Sequence, residues 1–182
     1  MVVSMVPASA VTAFAETGTG SSQTVEATTT AVAQIGDKTY STLSAAIEAA
    51  GQTATTIVLQ NGTTESVKIP AGANITLDLN GQNVTTTRQF IENYGNLTLQ
   101  NSKKTGEIKS GNVSIFAMSN SDTRIEYANI TGQEGAVGGN KDTVGANITI
   151  EDGHFKGIDN AVVIFNGSRR EGAANEITIN GG

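Results

Sequence analysis

A single histidine, His154, sits in Ile148-Thr149-Ile150-Glu151-Asp152-Gly153-His154-Phe155, where an imidazole beside two carboxylates could serve as a general acid or base. The same kind of block recurs at Ile177-Thr178-Ile179-Asn180-Gly181-Gly182, so His154 reads as an ordinary turn-to-strand position. Arg169 and Arg170 are the only paired arginines, and a pair of charges is usually a solvated turn. Cysteine is absent, which removes thiolate chemistry and disulfide staples without fixing a compartment. A net charge of −6 excludes nucleic acid as a partner, because no basic stripe exists to neutralise a row of phosphates. Eight Asn-x-Ser/Thr triplets, at Asn61, Asn74, Asn83, Asn96, Asn112, Asn129, Asn147 and Asn166, have the form of glycan acceptors. Several fall on a repeat described below, so they read as a turn Asn followed by a strand Thr.

The elements that would position these residues are mainly strands. The composition is rich in Thr, Asn, Ile, Val and 21 glycines, with 2 prolines and 4% aromatics, which is strand and turn chemistry. One helix is expected over Thr42 to Ala50, with Ser41 as its N-cap, Gly51 as a left-handed exit, and Leu43, Ile47 and Ala50 on one face. From Thr56 the hydrophobic period becomes two, and strands follow to the end.

An internal repeat organises those strands. Asn74-Ile75-Thr76-Leu77, Asn96-Leu97-Thr98-Leu99, Asn147-Ile148-Thr149-Ile150 and Glu176-Ile177-Thr178-Ile179 align, with a looser Arg124-Ile125-Glu126-Tyr127 between the second and third. Their first apolar positions are separated by 22, 28, 23 and 29 residues, a period that means stacked supersecondary units. A leucine-rich repeat would need Leu-x-x-Leu-x-Leu-x-x-Asn, which does not occur. Further short strands instead lie between the repeats, at Phe90-Ile91, Glu107-Ile108-Lys109, Ser114-Ile115-Phe116 and Ala161-Val162-Val163-Ile164-Phe165. The expected fold is all-β, a right-handed parallel β-helix with a short N-terminal capping α-helix. Leu77, Leu99, Ile150 and Ile179 are expected inside, and Thr76, Thr98, Thr149 and Thr178 on an outward ladder. Leu43 and Ile47 are expected to cover the first coil, because an open coil exposes unpaired backbone and an apolar cross-section.

Residues 1–15 end in Ala13-Phe14-Ala15, the small-x-small spacing of a signal-peptidase site, but no Lys or Arg precedes the apolar run. They are read as the remnant of a signal peptide, residues 16–31 as a flexible Thr/Gly/Ser linker, and residues 32–182 as the β-helix. Membrane contact is expected only through the signal peptide. The unfinished coil at Glu176 to Gly182 is expected to continue in a longer chain.

The segment Ala33-Gln34-Ile35-Gly36-Asp37-Lys38-Thr39-Tyr40-Ser41-Thr42-Leu43-Ser44-Ala45-Ala46-Ile47 resembles the opening of the pectin-lyase-like β-helix regions of bacterial cell-surface proteins of the adhesin type. So do Ile69-Pro70-Ala71-Gly72-Ala73-Asn74-Ile75-Thr76-Leu77-Asp78-Leu79-Asn80-Gly81 and Asn93-Tyr94-Gly95-Asn96-Leu97-Thr98-Leu99. The resemblance spans nearly all of residues 32–182 and implies fold and surface location rather than one activity. Lyases of this fold use clustered carboxylates for calcium and an Arg or Lys base. Asp78, Gln100, Glu151 and Asn180 share one repeat position, but the two acids are about three coils apart, too far for one ion. Arg88, Arg124 and Lys156 are the candidate bases, each reading more simply as solvated. The acid pair that inverting hydrolases need has no Asn-Thr-Asp or Asp-Asp counterpart here.

These readings imply no catalytic, cofactor-binding or metal-binding residue and no cofactor. The expected function is a non-catalytic, exported, secreted or cell-surface module that binds extracellular polysaccharide or host glycan. The alternatives are a polysaccharide lyase or glycoside hydrolase of the same class, and a structural stalk.

Overall fold

In the computed structural model, which describes residues 30–165, 172 and 174–182, the chain winds into a parallel β-solenoid of about four turns with one short helix near its start. Residues 1–29, which carry the expected leader and most of the expected linker, lie outside the described residues, as do Asn166, Arg169 and Arg170. Strands are numbered along the chain. The long sheet holds β1 (Ala33–Ile35), β2 (Lys38–Tyr40), β3 (Thr55–Leu59), β5 (Asn74–Asp78), β8 (Asn96–Gln100), β11 (Asp122–Ile125), β14 (Asn147–Ile150) and β17 (Glu176–Ile179). A five-stranded sheet holds β4 (Val67–Ile69), β7 (Ile91–Asn93), β10 (Val113–Ala117), β13 (Gly135–Gly139) and β16 (Val163–Phe165). The third sheet holds β6 (Val84–Thr86), β9 (Ile108–Ser110), β12 (Ala128–Gly132) and β15 (Gly153–Gly157). Every pairing between coils is parallel, and each strand pairs with its equivalent one coil away.

The alternation of apolar and polar residues decides what each coil buries. In the long sheet, Ile57, Leu77, Leu99, Ile125, Ile150 and Ile179 stack in one inward column, and Thr55, Ile75, Leu97, Thr123, Ile148 and Ile177 in the next. Leu77, Leu99 and Ile150 are buried as expected, but Ile179, expected inside, is exposed together with Ile177, because no strand among the described residues stacks on β17. Each buried side chain contributes about 1.5–3 kcal/mol relative to exposure. Between the columns Thr56, Thr76, Thr98, Arg124, Thr149 and Thr178 form the outward ladder.

The register of the fourth coil, at β11, differs from the sequence expectation by two residues. Asp122-Thr123-Arg124-Ile125, not Arg124-Ile125-Glu126-Tyr127, pairs with Asn96-Leu97-Thr98-Leu99. Thr123 occupies a slot where the neighbouring coils carry Leu97 and Ile148, and its hydroxyl accepts a 2.9 Å hydrogen bond from Asn93 Nδ2. A slip of two preserves the side-chain faces, so the inward assignment of Ile125 holds, and it is fully buried.

Helix α1 (Leu43–Ala50) buries Leu43, Ala46, Ile47 and Ala50 against the first coil. Its cap is Thr42 rather than Ser41: Thr42 has extended backbone, and its Oγ1 accepts from Ala45 N at 3.1 Å. Ser41 lies one residue too early for that geometry, since the helix begins at Leu43. Gly51 ends the helix at φ 58° and ψ −128°, a positive-φ conformation open to glycine but outside the left-handed helical region expected, and its N–H donates to Ile47 O. Glu65, from the first coil, adds a second cap: its carboxylate accepts from Leu43 N at 2.8 Å and from Ser44 N and Oγ. The open edge of the long sheet is covered by the antiparallel hairpin β1–β2, with Ala33 pairing Leu59. Helix and hairpin thus divide the work at this end, the one burying apolar surface and the other backbone.

Candidate functional site

The outward face of the four-stranded sheet gathers the most varied polar side chains. One row runs Thr85, Lys109, Thr131 and Lys156, and the row beside it runs Asn83, Glu107, Asn129 and His154. These residues face outward because their neighbours Val84, Ile108 and Ile130 fill the core. Glu107 is the hub. Thr131 Oγ1 donates to its Oε1 at 2.6 Å, Lys109 Nζ lies 2.9 Å from its Oε2, and its own N–H donates to Asn83 Oδ1 at 3.0 Å. Asn129 Nδ2 donates to Gly106 O at 3.0 Å, and Tyr127 OH donates to Asn129 Oδ1 at 3.3 Å.

Partial burial pushes the Glu107 carboxyl upward, but hydrogen bonds from Thr131 and Lys109 and the charges of Lys109 and Lys156 outweigh it, leaving the group below the ordinary glutamate range. A carboxylate so held is an acceptor, and an inefficient proton donor near neutrality. Asp78 behaves alike. Burial raises it, but Ser102 N and Asn80 N donate to Oδ1 and Gln100 Nε2 to Oδ2, holding it below the usual carboxylate range. Its work is to organise the following turn, where Asn80 adopts φ 49°.

The repeat position shared by Asp78, Gln100, Glu151 and Asn180 forms one ladder in the structure, with Glu126 inserted by the corrected register. Asp78 and Glu151 are three coils apart, in keeping with the spacing read from the sequence. Arg124 joins Glu126 and Glu151: its Nη1 lies 2.8 Å from Glu151 Oε1 and its Nε 3.8 Å from Glu126 Oε1. Asn180 Nδ2 donates to Glu151 Oε2 at 2.8 Å. A guanidinium committed to two carboxylates is a bridge rather than a base. Arg88 is exposed at the corner between β6 and β7, and Lys156 is exposed opposite Thr131. His154 is exposed opposite Asn129. Among the described residues no group of three or more His, Asp or Glu side chains is arranged to hold a metal ion.

Of the Asn-x-Ser/Thr triplets, those at Asn74, Asn96 and Asn147 place Asn at a strand start and Thr two residues on, both facing outward. Sequence reasoning missed the Glu107 hub and Tyr127. The Asn-x-Thr at Asn129 carried a signal for this face, since it set Asn129 and Thr131 on one side of a strand. Apart from Lys109, two residues on, nothing local marks Glu107, whose other partners Asn83 and Thr131 lie one coil away. The fold and these ladders define the class as a parallel β-solenoid with polar faces. Comparison with known protein families, with curated proteins and with solved structures gives no match to this chain in any of the three.

Proposed function

We propose that this chain is a non-catalytic, glycan-binding module of an exported, adhesin-type cell-surface protein, built on a pectin-lyase-like β-helix, with the outward face of the four-stranded sheet as its platform. The observation that carries the reading is the pair of ladders around Glu107. They present hydroxyl, amide, carboxylate and ammonium groups in a repeating array, one set per coil at about 4.8 Å. That rise is close to the advance of a polysaccharide per sugar, so a chain lying along the solenoid axis meets polar partners at each step, Thr and Asn on one coil alternating with Lys and Glu or His on the next. Export rests on Ala13-Phe14-Ala15. The non-catalytic reading draws on Glu107, the carboxylate at the centre of this face: its hydrogen bonds and neighbouring lysines hold it below the ordinary range, whereas glycosidases raise the acid that protonates the leaving group.

The test is incubation of the chain with a panel of polysaccharides, uronans with calcium included, followed by retention and by release of unsaturated uronides or new reducing ends. The expected result is retention without release. Replacement of Lys109 and Lys156 by alanine together is expected to weaken retention while leaving the circular dichroism spectrum intact. Cleavage of any member of the panel, or failure to retain every member, overturns the proposal.

A further inference from the structure

Beside this platform, where the long sheet turns toward the four-stranded one, Gln100, Asn101, Ser102, Lys104, Glu126 and Tyr127 line a cavity of about 250 Å³. It is slightly smaller than the roughly 300–1,000 Å³ of drug-sized sites and suits a single sugar ring. Lys104 lines it, its ammonium lying 4.6 Å from the centre of the Tyr127 ring and 3.7 Å from Asp152 Oδ2, just outside the lining. The three residues sit in the turns of three successive coils, so the lysine side chain runs along the axis and covers the ring. Both contacts are weak. Lys104 and Asp152 are more than half exposed, and exposed cation–π and ion-pair contacts contribute little. Its backbone, at φ 52°, is an uncommon conformation for a residue other than glycine. The ring itself is braced through Asn129, whose amide is tied to Gly106 O.

We propose that this pocket binds the primary ammonium of an amino-sugar residue, with Lys104 as a tethered stand-in that the ligand displaces. Tyr127 supplies the aromatic face, Asp152 at the rim and Glu126, which Arg124 shares, the charge, and the Gln100 side-chain carbonyl oxygen, left open by the bond from its Nε2 to Asp78, an acceptor for a sugar hydroxyl. The chain carries −6 overall, so its long-range field favours the approach of a cationic ligand. The inference rests on the glycan-binding reading and narrows it to one pocket and one sugar class.

The test uses a glucosamine hexasaccharide and its fully N-acetylated counterpart, titrated against the whole chain at about pH 5.5, where the sugar amines carry protons. Lys104→Gln is expected to tighten glucosamine binding about 5-fold, while Lys103→Gln, the same charge change outside the pocket lining, is expected to leave it unchanged. Adding Asp152→Asn or Tyr127→Leu to Lys104→Gln is expected to abolish the gain. Asp152→Asn is a mild variant, because an amide oxygen can still accept from Gly153 N, as Asp152 Oδ1 does at 2.8 Å. Equal gains for the two lysine variants, no gain from Lys104→Gln, or an acetylated hexamer bound as tightly as the free amine would each overturn the proposal. Retention of a neutral glycan or uronan with no response to Lys104→Gln sinks this inference alone. If no glycan of any kind is retained, the functional reading falls with it.

Discussion

Replacing Asn93 by alanine tests how the solenoid keeps its interior polar atoms satisfied. Asn93 is fully buried, in an inward column between Ile69 and Ala117. Its Nδ2 donates to Asp122 O at 2.7 Å and to Thr123 Oγ1 at 2.9 Å, and its Oδ1 accepts from Gly95 N at 3.0 Å. One side chain thus ties the turn that carries β7 into β8 to the coil that follows. Alanine strands the Gly95 N–H and removes a partner from Asp122 and Thr123. Each buried polar group left unsatisfied costs about 1–3 kcal/mol. The Thr123 hydroxyl can turn to another acceptor, so the expected loss is about 2–4 kcal/mol. Thr123→Val keeps the shape, leaves the Asn93 amide its bond to Asp122, and is expected to cost no more than about 1 kcal/mol. Urea unfolding followed by circular dichroism reads both, with an unchanged m-value marking a pure stability effect. A loss under about 1 kcal/mol for Asn93→Ala, or equal losses for the two variants, would refute the reasoning.

Leu99→Ala, in the fully buried column, is expected to lose about 2–5 kcal/mol, whereas Thr98→Ala on the outward ladder stays within about 0.5 kcal/mol; the same urea titration compares them. Gly95→Ala is expected to destabilise by about 1–3 kcal/mol or to prevent folding, because a Cβ there would stand 2.4 Å from Pro70 O and 2.7 Å from Ala73 O. Glu65→Gln loses the charged cap of α1. Burial raises Glu65, but bonds from Leu43, Ser44 and Thr63 hold it below the ordinary range, so its contribution is full above about pH 4.3 and is lost as pH falls through the folded value. Thermal melts across that window are expected to show a steeper acid loss in the wild type than in the variant, and parallel curves would contradict the assignment.

What the sequence revealed depended on whether the signal was local. The buried column at Leu77, Leu99 and Ile150 was legible because an aliphatic side chain recurs at each lap; Ile179 keeps the register but not the burial, since β17 is the last strand of the sheet. The apolar face of α1 was legible for the same reason. At the fourth coil the aliphatic signal failed, since Thr123 fills the slot with help from Asn93, 30 residues earlier. A search for aliphatics therefore slid by two residues onto Ile125. The hairpin β1–β2 was missed because strands of three residues around Gly36 and Asp37 give too short a pattern to register as period two. Glu65 as a cap for α1 was out of reach, because the bond joins residues 22 apart that only the closed coil brings together. The Glu107 hub was hidden likewise, its Thr131 partner lying one lap onward.

A methyl NOESY spectrum on selectively labelled protein addresses the stacking itself. Cross-peaks are expected from Leu77 to Leu99, from Leu99 to Ile125 and from Ile125 to Ile150, with none between Leu77 and Ile150, three laps of about 4.8 Å apart. A spectrum that joined Ile125 to Leu97 in place of Leu99, or that joined none of these neighbours, would contradict the solenoid and its register.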